Sequence, residues 1–183
     1  MDLDIILQSL GQVHFITPTV GVVFAFVLTL VLIFFSGLAS GSEIAFFSLS
    51  PNELSELAPE HSSTDATIKC LREDSERTLA TILIVNNLVN VTIVMLCNYI
   101  FTHIVDFGGV VWLEILCVTV LLTFILLLFG EILPKVYSRQ NPLAFCRRIC
   151  GAVMVCRTVF WPLESILMST GFLASKVVQK DNH

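Results

Sequence analysis

Glu131 closes an apolar run, in the string Leu128-Phe129-Gly130-Glu131-Ile132-Leu133-Pro134-Lys135. A carboxylate at membrane depth is costly to hold, so it marks a place where an ion, a partner or a cavity is met. Pro134 lacks an N–H and crowds the turn before it, so it is expected to break the helix and free backbone carbonyls. Two other apolar segments carry polar clusters, Ser36-Gly37-Leu38-Ala39-Ser40-Gly41-Ser42-Glu43 and Asn86-Asn87-Leu88-Val89-Asn90. Hydroxyl, amide, carboxylate and carbonyl oxygens are ligands for hard cations such as magnesium or calcium, whereas zinc or copper would want His or Cys. The four histidines, His14, His61, His103 and His183, are scattered along the chain.

A structural reading stands beside the chemical one. Ser, Gly and Asn also let membrane helices approach closely, and Gly37 with Gly41 forms a small-xxx-small pair suited to that. Asn86 and Asn90 share a helix face, while Asn87 lies roughly 100° round the helix. For Glu131 packing alone offers no reason. Glu43, near the end of its segment, has an available partner in a basic loop residue such as Arg77. The string Ala39-Ser40-Gly41 also raises a serine hydrolase, but that chemistry needs a base within reach of the hydroxyl. His103 falls at the far end of its own segment, so the chain is read as no enzyme.

These residues must be positioned by helices. The chain has 183 residues, 55% hydrophobic and 14% charged, with a mean hydropathy of +0.86. That balance describes an all-α integral membrane protein. Apolar segments run from about Thr19 to Leu49, from Leu79 to about Ile104 and from Val110 to Leu133. Ser50 or Asn52 with Pro51 signals a new helix start after the first. The polar stretch 51–77 reads as two short helices around a Pro59–Asp65 turn, and Asp106-Phe107-Gly108-Gly109 as a tight turn. Beyond Pro134, the apolar stretch Leu143–Leu163 is interrupted by Arg147, Arg148 and Arg157. It is expected to lie along the membrane interface as a juxtamembrane helix, with Trp161 at headgroup level. A last amphipathic helix follows from Glu164 to about Lys176.

Charge distribution orients the spans. The net charge is −5, yet no Lys or Arg precedes Lys69, and seven of the ten follow Glu131. The positive-inside rule puts the N-terminus outside and both the 51–77 loop and the C-terminus in the cytosol, which three spans satisfy. The expected divisions are an extracytoplasmic N-terminus (1–18), a three-span domain (19–137), a juxtamembrane belt with its following helix (138–176) and a tail (177–183). Asn86 and Asn90 then lie roughly 12 and 18 Å along the second helix from its cytosolic entry, with Ser40 and Glu131 late in the inward-running helices. All three clusters are expected in the cytosolic half of the bilayer. No basic stripe suits a nucleic acid. The start Met1-Asp2-Leu3-Asp4 lacks the basic flank of a signal peptide. The six cysteines sit in or beside apolar segments and read as reduced packing residues.

The three polar strings, with Leu49-Ser50-Pro51-Asn52-Glu53-Leu54 after the first, resemble in order and spacing the transmembrane domain of the CNNM/CorC (haemolysin-related) magnesium transporters. The resemblance covers about Thr19 to Lys176. It implies a homodimer of three-span subunits in a cell membrane, a belt-like juxtamembrane helix and a dehydrated magnesium ion in an inward-facing cavity, with efflux coupled to sodium. Carried over position by position, it implies Ser40, Asn86, Asn90 and Glu131 as ligands, with backbone help from Gly41 or Gly130. Ser40 is preferred to Ser42. Family members continue into ATP-binding CBS domains; this chain stops at His183, so ATP is not expected on it. The alternative is a membrane anchoring or sensing module that binds magnesium without moving it, its basic belt serving a partner or anionic lipid.

Overall fold

The computed structural model describes residues 3–11 and 13–180; Met1, Asp2 and the 181–183 end of the expected tail lie outside the described residues. The chain is helical almost throughout, in the order α1 (Leu3–Leu10), β1 (His14–Phe15), α2 (Val20–Phe47), α3 (Pro51–Ser55), α4 (Ser63–Glu73), α5 (Ser75–Ile104), β2 (Val105–Asp106), α6 (Val111–Ile125), a π-helical segment (Leu126–Ile132), α7 (Leu133–Gln140), α8 (Pro142–Val159) and α9 (Trp161–Lys180). Among the described residues, three helices are long and apolar enough to cross a membrane: Val20–Phe47, Ser75–Ile104 and Val111–Gln140. Along α2 and α5, hydroxyls inside the apolar run turn back onto their own helix. Thr29 Oγ1 donates to Ala25 O at 2.8 Å and Thr92 Oγ1 to Leu88 O at 2.8 Å, which satisfies the groups where no water is available.

Pro134 does not break the third helix. The backbone widens one turn ahead of it, so that the Leu133 N–H reaches Leu128 O, and α7 then carries the helix on to Gln140. A proline removes one ladder donor and crowds the carbonyl four residues earlier; the wider π turn gives the ring room without ending the helix.

Two compact units make up the chain, each with its own core. The first joins Met1–Gly37 to Leu88–Leu133. Here α2 and α5 run antiparallel, Val22 and Ala25 packing with Ile100. Ile93 and Cys97 meet Val118 and Leu122 of α6. One end of this unit is pinned by the short pairing of His14 with Asp106 and Phe15 with Val105. The turn after β2 needs positive φ at Gly108 (60°) and Gly109 (81°), a conformation glycine adopts at little cost. The short α1 and this two-residue ladder carry no sequence signal strong enough to have been expected.

The second unit joins Leu38–Asn87 to Pro134–His183. Its core lies between α4 and α8. Leu143, Cys146, Cys150 and Val153 form an i, i+3, i+7, i+10 stripe on α8 that packs with Ile68 and Leu71 of α4 and with Ala45, Phe46 and Leu49 at the end of α2. Ser50 starts α3 with a capping box: its N–H donates to Glu53 Oε2 at 2.8 Å and its Oγ accepts from Glu53 N at 3.3 Å. The Ser50 N–H, and after it the Ser50 hydroxyl, both donating to Glu53 Oε2, hold the Glu53 carboxyl below the usual carboxylate range. Arg72 of α4 donates to Phe46 O at 3.0 Å, supplying the cation that the last turn of α2 lacks in its own sequence.

Ion pairs then fasten α8 to α4. Asp65, 4% exposed, accepts from Arg147 Nε at 3.0 Å and Nη2 at 3.3 Å, and from Ala58 N at 3.0 Å. Arg157 Nη2 donates to Asp74 Oδ2 at 2.7 Å. Two of the three belt arginines are therefore committed within the unit. Glu43 pairs with Lys135 at 3.9 Å, while Arg77 lies 3.6 Å from Asp74. The expected Glu43–Arg77 contact is replaced because α7 continues past Pro134 and brings Lys135 to Glu43. Glu164 of α9 is fully buried and takes the Thr81 hydroxyl of α5.

Candidate functional site

In the first unit, Ser36 of α2, Asn90 of α5 and Gly130 of the π segment come together. Ser36, fully buried, donates from Oγ to Asn90 Oδ1 at 2.6 Å. Gly130 is buried in the π segment, and a Cβ added to it would lie 3.2 Å from Ser36 Oγ. A side chain there would press on the hydroxyl, so glycine is what allows the π turn to approach. Glu131 follows directly in the chain and is half-buried. A π turn changes the direction of successive side chains and carbonyls relative to an α-helix, and such turns recur at functional sites.

In the second unit, Ser40 is 1% exposed and donates from Oγ to Asn86 Oδ1 at 3.4 Å. Moving four residues along α2 from Ser36 to Ser40 therefore moves four residues back along α5, from Asn90 to Asn86, as antiparallel helices require. Ser42, equally buried, instead donates to Leu38 O of its own helix at 2.6 Å. Its hydroxyl proton is used locally, which separates it from the two serines that face amides. Asn87 is exposed, away from the face of Asn86 and Asn90.

Gly41 is held closely for a different reason. A Cβ at this position would come within 2.8 Å of Phe145 Cζ, so the α8 ring sits directly against the backbone of the α2 turn that carries Ser40. Ser36 is the functional-site candidate that the resemblance did not bring forward. Its signal is spacing, since Ser36 and Ser40 repeat on α2 the four-residue interval of Asn86 and Asn90 on α5.

Chemically, these oxygens are neutral except for Glu131. Among the described residues, no group of three or more His, Cys, Asp or Glu side chains comes together. Amide and hydroxyl oxygens bind hard cations through their lone pairs, and an Asn Oδ1 has two of these.

The Cyclin M transmembrane N-terminal domain family (CNNM) matches residues 27–182. The chain belongs to the CNNM family. Metal transporter cnnm-4 of Caenorhabditis elegans is 32% identical to it over 139 residues, which cover 70% of this chain and 28% of that protein. The CNNM domain described here thus spans 28% of the length of the curated relative it matches. The family match includes all of α5, the π segment and α8, along with every serine and asparagine described above.

Proposed function

We propose that this CNNM domain moves magnesium across a cell membrane, with Ser40, Asn86, Asn90 and Glu131 as oxygen ligands and the carbonyls of Gly41 and Gly130 assisting. Ser36 joins the set as the hydroxyl that orients Asn90. The observation that carries the reading is the pairing of serine hydroxyls with asparagine amides inside apolar helices, together with a π segment that contains a carboxylate and whose Gly130 lies against Ser36. A relative named a metal transporter supports the same reading. Transport runs outward in exchange for sodium, and the working unit is a homodimer with its N-terminus outside and the α3–α4 hairpin cytosolic. The absence of Lys and Arg before Lys69 supports that orientation.

The charge balance suits a transporter. A single carboxylate offsets only part of the two positive charges of the cargo, and the remaining ligands are neutral dipoles. Magnesium requires a tight octahedron at about 2.0–2.1 Å and gives up its water reluctantly. Such a site recognises the ion by fit and still releases it.

Flux in proteoliposomes, with magnesium affinity measured on the same preparation, tests the proposal. Glu131→Gln should abolish flux, and Ser40→Ala should weaken magnesium binding by about tenfold or more. Unchanged flux in Glu131→Gln rejects the site. Magnesium binding by the native protein without any flux rejects transport and leaves an ion-sensing membrane module.

A further inference from the structure

Phe145 belongs to no polar cluster, yet it touches the most constrained backbone in the second unit. Its ring atoms Cζ, Cε2 and Cε1 would lie 2.8, 3.3 and 3.4 Å from a Cβ placed on Gly41. Real Cβ atoms do not tolerate the first of these distances, so ring and glycine occupy one another's space. Gly41 directly follows Ser40, whose hydroxyl faces Asn86. The ring is also engaged by Tyr137 of α7, which meets Phe145 edge-to-face at 6.5 Å between centroids. Below it, Cys146 and Leu143 anchor α8 in the core shared with Ala45, Phe46 and Leu49. The ring is therefore held from α7 and from its own helix, and presses on α2 one residue beyond the serine.

We propose that Phe145 is a positioning residue for the Ser40 hydroxyl, and that the Phe145–Gly41 contact sets how strongly the site prefers magnesium to calcium. The inference rests on Ser40 being a ligand. A rigid aromatic side chain has two χ angles and cannot spread its contact as a flexible chain would. Wedged against a backbone with no Cβ, it fixes the rotation and height of that turn of α2. Magnesium depends on such fixity, because its ligands must lie close to an ideal octahedron. Calcium accepts longer and less regular distances, about 2.3–2.6 Å. Loosening the turn thus penalises the smaller ion more.

The test measures magnesium and calcium affinities by calorimetry on the full chain in detergent, with thermal midpoints recorded without metal. Phe145→Ala should weaken magnesium binding by about tenfold, in the range typical of residues that orient a ligand, and weaken calcium binding less. Gly41→Ala, which drives ring and helix apart, should give the same selectivity shift. The double variant should be no weaker than the worse single one, as expected when both changes remove one contact. Phe145→Leu, which keeps apolar volume but not the flat ring, should retain the fold and still lose selectivity, so an unfolded Phe145→Ala does not end the test. Native affinities and ratio in Phe145→Leu, or additive losses in the double variant, overturn the proposal. Ser40→Ala, run alongside, separates the premise: if it binds magnesium like the native protein, the ligand assignment has failed rather than the positioning role.

Discussion

Three buried serines on one helix have different fates because each hydroxyl has a single proton to give. Ser36 and Ser40 give theirs to the amides of Asn90 and Asn86, whereas Ser42 gives its own to the Leu38 carbonyl. A serine that satisfies itself on its own helix is inexpensive to hold in an apolar segment and brings no group to a neighbour. Serines that face amides fix the rotamer of those amides, which is what a ligand oxygen requires. Ser36→Ala is therefore expected to free the Asn90 side chain and weaken magnesium affinity by about tenfold, as loss of an orienting partner does. Ser42→Ala should leave affinity within about twofold, since it removes only a local bond. Calorimetric titration of the two variants checks the contrast, and equal losses in both would contradict it. The resemblance favours Ser40 over Ser42 as a ligand, and the two hydroxyls do differ in their acceptors, Asn86 Oδ1 for Ser40 and Leu38 O for Ser42. Ser36 was legible only through its spacing, because its own string offers three serines with nothing to rank them.

At the scale of elements, α8 shows what hydropathy alone leaves out. Its apolar stretch interrupted by arginines reads from sequence as a helix lying on a membrane surface. Within the unit, its stripe of Leu143, Cys146, Cys150 and Val153 packs on α4 and α2, and Arg147 and Arg157 pair with Asp65 and Asp74. No linear pattern could show this, because the partner residues are 82 and 83 positions away. Pro134 gives the complementary lesson: a residue rule about proline holds locally, but a π turn absorbs its effect and the helix continues. The α4–α8 junction carries an acid sensitivity of defined direction. The Arg147 guanidinium, and after it the Ala58 N–H, holds the Asp65 carboxyl below its usual range. A carboxyl depressed by folding adds stability above its unfolded value, about 3.9, and that contribution is lost as pH falls through the lower folded value. Asp65→Asn should thus lower stability at neutral pH by about 1–2 kcal/mol, at the modest end for a charged hydrogen bond because Arg147 is partly exposed. Its thermal midpoint should also fall less than the native one between about pH 5 and pH 3. Parallel pH curves for the two proteins would show that Asp65 does not carry this linkage.

For the whole molecule, sequence was most informative where bilayer physics is most restrictive. Backbone groups in hydrocarbon must be satisfied within a helix, so α2, α5 and the α6–α7 helix were readable from apolar length alone. The helix start after α2 was readable to Ser50 or Asn52 because capping chemistry is confined to a few residues, and the capping box places it at Ser50. Contacts that depend on tertiary approach were not, among them Lys135 on Glu43, Glu164 on Thr81 and Phe145 on Gly41. The same distinction tells which single measurement bears on the whole topology. Cys70 is exposed on α4, whereas Cys146 is fully buried in the α8 core. Burial pushes the Cys146 thiol up to about 12, which leaves almost none of the reactive thiolate at neutral pH. A membrane-impermeant maleimide should therefore label Cys70 in inside-out vesicles and not in right-side-out ones, with Cys146 silent in both until the protein is unfolded. Phe15→Cys, at a site 81% exposed beside the β1–β2 ladder, should label with the opposite sidedness. The two sites lie on either side of a single span, α2, so a chain threaded once through the bilayer must present them on opposite faces. Labelling of both from the same face would require α2 not to cross, and the outward N-terminus and the cytosolic hairpin would fall together.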